Sequence, residues 1–269
     1  MLTQKFGNKE LCCDRTAFVM GILNVTEDSF WEKSRGGIER AFEIINSGAE
    51  IIDIGAESTR PGFTPVDSQS QISRLIPLIK AIREKSDVVI SIDTRDSRVF
   101  KACLEAGADI LNDVSSLESD KDMISVLKSS QASVILMHGF GLDENHPADK
   151  NIVANVKAYL DSRAKFLQEN GINSDRIIFD PGIGFGKTYE ENVELIKNCN
   201  LLSEKYPLLM ALSRKRCIGT MMERENTACD RLSSTLAANL ISVKKSAKIV
   251  RVHDFQETID ALNVMKYLE

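Results

Sequence analysis

Val88-Val89-Ile90-Ser91-Ile92 and Asp109-Ile110-Leu111-Asn112 are two short apolar runs on either side of a segment of helical length. Both runs are nearly continuous in apolar residues, as parallel strands covered on both faces are. Between them, Asp96 can accept the unpaired N–H groups of a helix start, and Gly107 can end that helix in a left-handed turn. The stretch reads as one strand–helix–strand unit.

The unit repeats outward in both directions. Strands are expected at Val19–Val25, Glu50–Ile54, Val88–Ile92, Asp109–Asn112, Ser133–Met137, Arg176–Phe179, Leu208–Leu212 and Lys248–Val252. Amphipathic segments separate them: Ile72-Leu75-Ile76-Ile79-Ile82 and Leu232-Leu236-Leu240-Val243 carry apolar residues at helical spacing. Gly48 and Gly171 fall where helices should stop, and Asp120 is a candidate cap for the fourth helix. Eight strand-then-helix units fill residues 1–269 without a linker. The expected architecture is α/β: a single closed (β/α)8 TIM barrel, with its active site at the C-terminal ends of the strands.

Composition narrows the class further. The chain has 269 residues, 43% hydrophobic, and a formal net charge of −5, so a non-specific nucleic-acid partner is not expected. The longest apolar runs, such as Val134-Ile135-Leu136-Met137, fall far short of the ~20 residues of a membrane span. Met1 to Asp14 is polar, without the apolar core of an export signal. The six cysteines show no C-x-x-C spacing, and reduced thiols in a cytoplasmic protein are expected.

Chemistry gathers where the strands end. The residues at or just beyond them are Asn24, Asp53 with Glu57, Asp93, Asn112, His138, Asp180, Ser213-Arg214-Lys215, and Arg251 with His253. Capping accounts for one or two such groups, but not for carboxylates and cations together at every strand. Asp93, Asn112 and Asp180 offer acceptors suited to a flat heterocycle rich in N–H donors. Lys215, Arg251, His253 and Arg60 offer donors suited to a phosphate-type anion.

Other chemistries fit less well. In Asp180-Pro181-Gly182-Ile183-Gly184-Phe185-Gly186-Lys187-Thr188, Pro181 occupies the first glycine of a phosphate loop, and Lys187 stands where a dinucleotide fingerprint needs glycine. The stretch reads as a glycine-rich loop that lets backbone approach a flat ligand. No histidine or cysteine spacing suits zinc. Ser213 and His253 could be neighbours, but nothing marks Ser213 as an elbow nucleophile.

Taken in order, Met20-Gly21-Ile22-Leu23-Asn24-Val25-Thr26-Glu27-Asp28-Ser29-Phe30, Glu57-Ser58-Thr59-Arg60-Pro61-Gly62, Ser91-Ile92-Asp93-Thr94, Asn112-Asp113-Val114, Met137-His138, Asp180 to Lys187, Ser213-Arg214-Lys215 and Arg251-Val252-His253-Asp254 resemble the dihydropteroate synthase family, from the first strand to the last. The resemblance implies a transferase of folate biosynthesis. It would join 4-aminobenzoate to (7,8-dihydropterin-6-yl)methyl diphosphate, giving 7,8-dihydropteroate and diphosphate. Carried over position by position, Asp93, Asn112, Asp180 and Lys215 would hold the pterin. Thr59, Arg60, Arg251 and His253 would bind diphosphate. Asn24 would meet the accompanying Mg²⁺. Thr59, Arg60, Pro61, Phe185, Lys215 and Arg216 would line the aminobenzoate pocket, and Asp93, Arg60 and Lys215 would carry catalysis. Leu232-Leu236-Leu240 and Ile259-Leu262-Met265 form apolar stripes on the late helices, a pattern more often core than interface; the resemblance nonetheless implies a homodimer built on those helices.

The chain departs from the family pattern at several points. Glu27 replaces a proline, Trp31-Glu32-Lys33-Ser34-Arg35 follows Phe30, and the first loop is several residues short. Ala56 stands where glycine is common, and alanine and leucine (Ala211-Leu212) precede Ser213 where a glycine is often seen; either change could narrow the pocket. Arg216 occupies a pocket-side position where serine is frequent. Two alternatives stay open beside the synthase. One is a pterin-binding methyltransferase domain, which needs no diphosphate site. The other is a catalytically silent pterin-binding paralogue.

Overall fold

The structure is a computed structural model in which residues 1–25, 37–57 and 66–268 are described. Its strands are β1 (Leu2–Phe6), β2 (Lys9–Cys13), β3 (Phe18–Asn24), β4 (Ile51–Gly55), β5 (Val89–Asp93), β6 (Ile110–Asp113), β7 (Ser133–Met137), β8 (Ile177–Asp180), β9 (Leu209–Met210) and β10 (Ile249–Val252). The helices are α1 (Ile38–Asn46), α2 (Ser68–Arg83), α3 (Ser97–Ala106), α4 (Met123–Lys128), α5 (Ile152–Glu169), α6 (Tyr189–Lys197), α7 (Arg216–Thr220), α8 (Leu232–Lys244) and α9 (Phe255–Leu268). The eight strands β3 to β10 run parallel in the order β8-β7-β6-β5-β4-β3-β10-β9. A parallel bridge between Phe179 and Leu208 joins the two ends, so the sheet closes into the expected barrel.

Strand periodicity divides the side chains between two cores. Along a strand every second residue faces the same side. The outward set, including Val19, Leu23, Ile52, Ile54, Ile90, Ile92, Val134 and Leu136, packs against the helices. The inward set begins with Phe18, Met20, Ile51, Val89, Ile110, Ile135, Ile178, Leu209 and Ile249, which fill the lower barrel. One or two steps of the same period further along stand Asp53, Asp93, Asn112, Asp180 and Arg251. The apolar floor and the polar mouth are therefore one pattern, and the floor raises the polar groups to the end where (β/α)8 sites form.

The antiparallel hairpin β1–β2 does not appear in the sequence reading. It closes the bottom of the barrel, with Phe6 fully buried edge-on against Phe18, ring centroids 5.4 Å apart. Its two-residue turn holds Gly7 at φ +60°, and the Gly7 N–H donates to Ser133 Oγ at 3.0 Å. Gly7-Asn8 between alternating residues is a recognisable hairpin signal, masked by the polarity of the segment.

Helix punctuation follows expectation with one correction. Asp96 caps α3 through the N–H groups of Arg98 and Val99, and Gly107 ends it at φ +113°. Gly48 and Gly171 also take positive φ after their helices. Asp120 does not occupy the cap position of α4, which falls on Asp122. Its carboxylate accepts from Asp122 N at 3.0 Å and from Ser97 N at 2.8 Å, so it serves the start of α3 instead. Ala56 belongs to the outer core rather than the pocket, so its methyl group narrows nothing there. All six cysteines are free thiols, and no described helix is long and apolar enough to cross a membrane.

Candidate active site

At the centre of the mouth, Asp53 is fully buried and acts as a hub. It accepts Arg251 Nε at 2.6 Å and Asn112 Nδ2 at 3.3 and 3.2 Å. Arg251 extends its Nη2 to Asp93 Oδ2 at 2.9 Å. One guanidinium thus bridges two buried carboxylates, the forked geometry that arginine alone supplies. With the Asn112 amide nitrogen turned to Asp53, the amide offers a ligand its oxygen as an acceptor.

Asp93 Oδ1 is buried and has no hydrogen-bond partner among the described residues. A buried acceptor left unpaired costs about 1–3 kcal/mol, so this atom is built to meet a donor from a ligand. Burial raises the Asp93 carboxyl to about 7; Arg251 opposes the shift, and Asp53, Asp113 and Glu57 add to it. Asp180 is likewise raised by burial and drawn down by Lys215. Its Oδ1 accepts Gly182 N at 2.7 Å. Asp93, Asn112 and Asp180 converge as a floor of acceptors.

Lys215 lies beside Asp180, and burial lowers its ammonium pKa while that carboxylate raises it. Nζ donates to the carbonyl of Ile183 and sits 5.1 Å from the Phe185 ring centre. The glycine-rich loop that carries Ile183 and Phe185 is held from behind. Lys187 Nζ donates to the carbonyls of His138 (3.0 Å), Gly182 (2.9 Å) and Phe185 (3.0 Å), and Asn192 Oδ1 accepts Gly184 N at 2.7 Å. Gly182 takes φ +67°, and a Cβ there would overlap the His138 carbonyl oxygen. The lysine that resembles a phosphate-loop residue is therefore spent on the backbone of its own loop.

Phe185, Lys215 and Arg216 also line one side of a cavity of about 1100 Å³ that reaches to Tyr189, Arg224 and Arg231. Arg216 is exposed and pairs with Glu144 at 2.6 Å. Buried Arg214 faces away from the mouth: Nε and Nη2 both reach Asp254 at 2.7 Å. Ser213 and His253 are neighbours, with Oγ 2.9 Å from Nδ1. His138 does not join the acceptor floor; its ring packs edge-on against Tyr159 of α5, and burial lowers its pKa to about 4. Glu57 binds Arg95 Nη2 at 2.7 Å and Val66 N at 3.0 Å, bracing the start of α2 and the end of β5.

Asn24 ends β3 half-buried at the rim; a Cβ built on Gly55 would lie 3.8 Å from its amide oxygen and 3.4 Å from Asp93 Cβ. Among the described residues no cluster of His, Cys, Asp or Glu could hold a metal by itself. The Asn24 amide oxygen is a hard ligand of the kind Mg²⁺ takes, and that ion needs few protein ligands because phosphate oxygens and water complete its shell. Thr59, Arg60, Pro61 and the altered first loop from Thr26 to Gly36 lie outside the described residues. The sequence reading missed the bridging role of Asp53 and the loop-holding role of Lys187. Both depend on groups far away along the chain.

Comparison with known proteins agrees with this geometry. Residues 20–253 match the model of the pterin-binding enzyme family. A dihydropteroate synthase of Clostridium beijerinckii is 38% identical over 263 residues, spanning 94% of each chain. The solved dihydropteroate synthase of Xanthomonas albilineans with 4-aminobenzoic acid superposes with a TM-score of 0.87 at 35% identity, covering 96% of this chain and 95% of that one. The Burkholderia cenocepacia dihydropteroate synthase complexed with 7,8-dihydropteroate gives 0.87 at 33% identity, covering 99% and 96%. The match runs through every element that builds the mouth, and the chain belongs to the pterin-binding enzyme family, among its dihydropteroate synthases.

Proposed function

We propose that this chain condenses 4-aminobenzoate with (7,8-dihydropterin-6-yl)methyl diphosphate to give 7,8-dihydropteroate and diphosphate. The observation that carries the reading is the buried Asp93 Oδ1, without a partner among the described residues, at the strand ends that also carry buried Asn112 and Asp180. Three acceptors in a dry floor match the N–H edge of a pterin, and Lys215 supplies the donor for its other heteroatoms. Arg251 and His253, with Thr59 and Arg60 of the second loop, hold the diphosphate. Phe185, Pro61, Arg216 and the stem of Lys215 form the arylamine pocket. Asn24 would hold Mg²⁺ together with the diphosphate, and the ion would supply charge neutralisation on that leaving group.

The bond between the pterin methylene carbon and the bridging oxygen breaks with its electron pair going to diphosphate. The methylene cation left behind is stabilised by the carboxylates of Asp93 and Asp180. The arylamine lone pair then forms the new C–N bond, and the resulting acidic ammonium gives one proton to solvent. Electrostatic groups fixed before the reaction can each contribute about 3 kcal/mol. An arylamine is already a free nucleophile at neutral pH, so no strong general base is needed.

Turnover against pH tests the reading. With a free-enzyme carboxyl near 7, Asp93 meets the pterin as a carboxylate acceptor only above that value. The kcat/KM for the pterin substrate should rise with pH through about 7 and then level off, and Asp93→Asn should abolish the rise along with most of the activity. A profile that is flat or falls across neutral pH would remove Asp93 from this role.

We also propose a cytoplasmic homodimer built on α8 and α9. The support is exposure in the single chain. The buried face of α8 is Thr235, Ala238, Asn239, Ser242 and Val243, leaving Leu232, Leu236 and Leu240 half-covered. Ile241, Val264, Tyr267 and Leu268 are exposed nearby. Light scattering should give twice the 29.9 kDa chain mass; a single-chain mass at working concentration would count against the dimer.

A further inference from the structure

We propose that Ser213 is a positioning residue that holds the His253 imidazole as its neutral Nε2–H tautomer, so that the ring meets the leaving diphosphate as a hydrogen-bond donor. The role of the ring toward diphosphate rests on the function proposed above; the tautomer rests on geometry alone.

Ser213 and His253 follow the neighbouring strands β9 and β10, and both are buried. Ser213 Oγ accepts the backbone N–H of His253 at 3.2 Å and lies 2.9 Å from Nδ1 of the same residue. A hydroxyl has one proton to give and two lone pairs to fill. One lone pair is taken by the backbone N–H, and among the described residues Nδ1 is the acceptor within reach of the hydroxyl proton. The opposite arrangement, Nδ1–H pointing at Oγ, would set two donors on one oxygen and leave the hydroxyl proton buried without a partner. That costs about 1–3 kcal/mol. Nδ1 is therefore the acceptor and the ring proton sits on Nε2.

The next residue after each of the pair holds it in place. The Arg214 fork onto Asp254 has both N–O distances at 2.7 Å, and Arg214 Nη1 also donates to the carbonyls of Ala228 and Cys229 at 2.6 and 2.9 Å. Arg214 takes φ +57°, a conformation costly for a residue with a side chain and kept where surrounding contacts enforce it. The ladder between β9 and β10 ends after two residue pairs, Leu209 with Ile249 and Met210 with Val250. Beyond it, Ser213–His253 and Arg214–Asp254 continue the connection through side chains. Lys215, one residue on, and Arg251, two residues back, are fixed by the same staple.

The consequence is chemical. An Nε2 lone pair would repel a diphosphate oxygen, whereas Nε2–H donates to it in a charge-assisted bond. The imidazole keeps its proton throughout, and the electron pair of the breaking carbon–oxygen bond goes to diphosphate. Ser213 thereby fixes which nitrogen bears hydrogen before substrate arrives.

The test is nitrogen NMR on protein labelled at histidine. There are three histidines, and His138→Gln and His146→Gln assign the signals of His253 by elimination. The wild type should show a bare Nδ1 and a protonated Nε2 at neutral pH. Ser213→Ala should lose that pattern and bind inorganic diphosphate with Mg²⁺ about tenfold more weakly. Ser213→Thr, which retains the hydroxyl, should restore both. A wild type with Nδ1–H or a doubly protonated ring, or an alanine variant with the wild-type pattern, would overturn the assignment. If the Nε2–H pattern is present but diphosphate leaves the His253 signals unmoved, the ligand role fails while Ser213's hold on the ring stands.

Discussion

Arg251→Leu should lower stability by about 3–5 kcal/mol, the cost of removing one partner from a buried charge cluster. The substitution strands two carboxylates that now share a guanidinium, Asp53 at 2.6 Å and Asp93 at 2.9 Å. The loss should depend on pH, and the sign follows from proton binding. Asp93 in the folded chain already releases its proton only near 7, against an ordinary carboxyl value of 3.8. Without Arg251 the Asp93 carboxyl moves higher still, so between its unfolded and folded values the native state binds more protons than the unfolded one. Stability is then retained in acid and lost as pH rises. Urea unfolding at about pH 5 and about pH 8 should show the larger deficit at the higher pH. Arg251→Lys, which keeps the charge without the fork, should recover much of the stability but little of the activity. An equal deficit at both pH values would mean the carboxylates do not carry the penalty.

Asp180→Asn should reduce kcat/KM for the pterin substrate by about 10²–10³-fold while the chain stays folded. The fold survives because an amide oxygen can still accept the Gly182 N–H that Asp180 Oδ1 accepts at 2.7 Å. Activity falls because the floor loses a negative charge facing the cationic transition state, and Lys215 loses the carboxylate that supports its charge. Calorimetry with a pterin ligand should show weakened binding in the same variant. Unchanged pterin affinity would mean that the floor of the site lies elsewhere.

These effects trace back to features readable along the chain. Ile51 and Asp53, Ile110 and Asn112, Ile178 and Asp180, and Ile249 and Arg251 are each two residues apart. Strand periodicity alone puts each polar member one inward step above its apolar partner. The barrel and the acceptor floor were legible for that reason. What the sequence hid is what closure decides. Asp53 becomes a hub because Arg251 lies 198 residues away on a strand that pairs with the neighbour of its own. Lys187 turns back onto its own loop because three carbonyls converge there. On α8, Thr235, Ala238, Asn239, Ser242 and Val243 make the buried face while Leu232 and Leu236 stay half-covered, so the apolar spacing and the buried face coincide only in part. The hairpin β1–β2 is hard to read from the sequence because its polar exterior masks Phe6 and Cys13, which pack into the barrel floor.

The most direct measurement is diphosphate release from (7,8-dihydropterin-6-yl)methyl diphosphate with Mg²⁺, with and without 4-aminobenzoate. Release that depends on the arylamine, with 7,8-dihydropteroate formed in equal amount, is the expected result. Tight binding of the pterin diphosphate without turnover would contradict it, and would identify a silent pterin-binding protein with the altered first loop as the place to look.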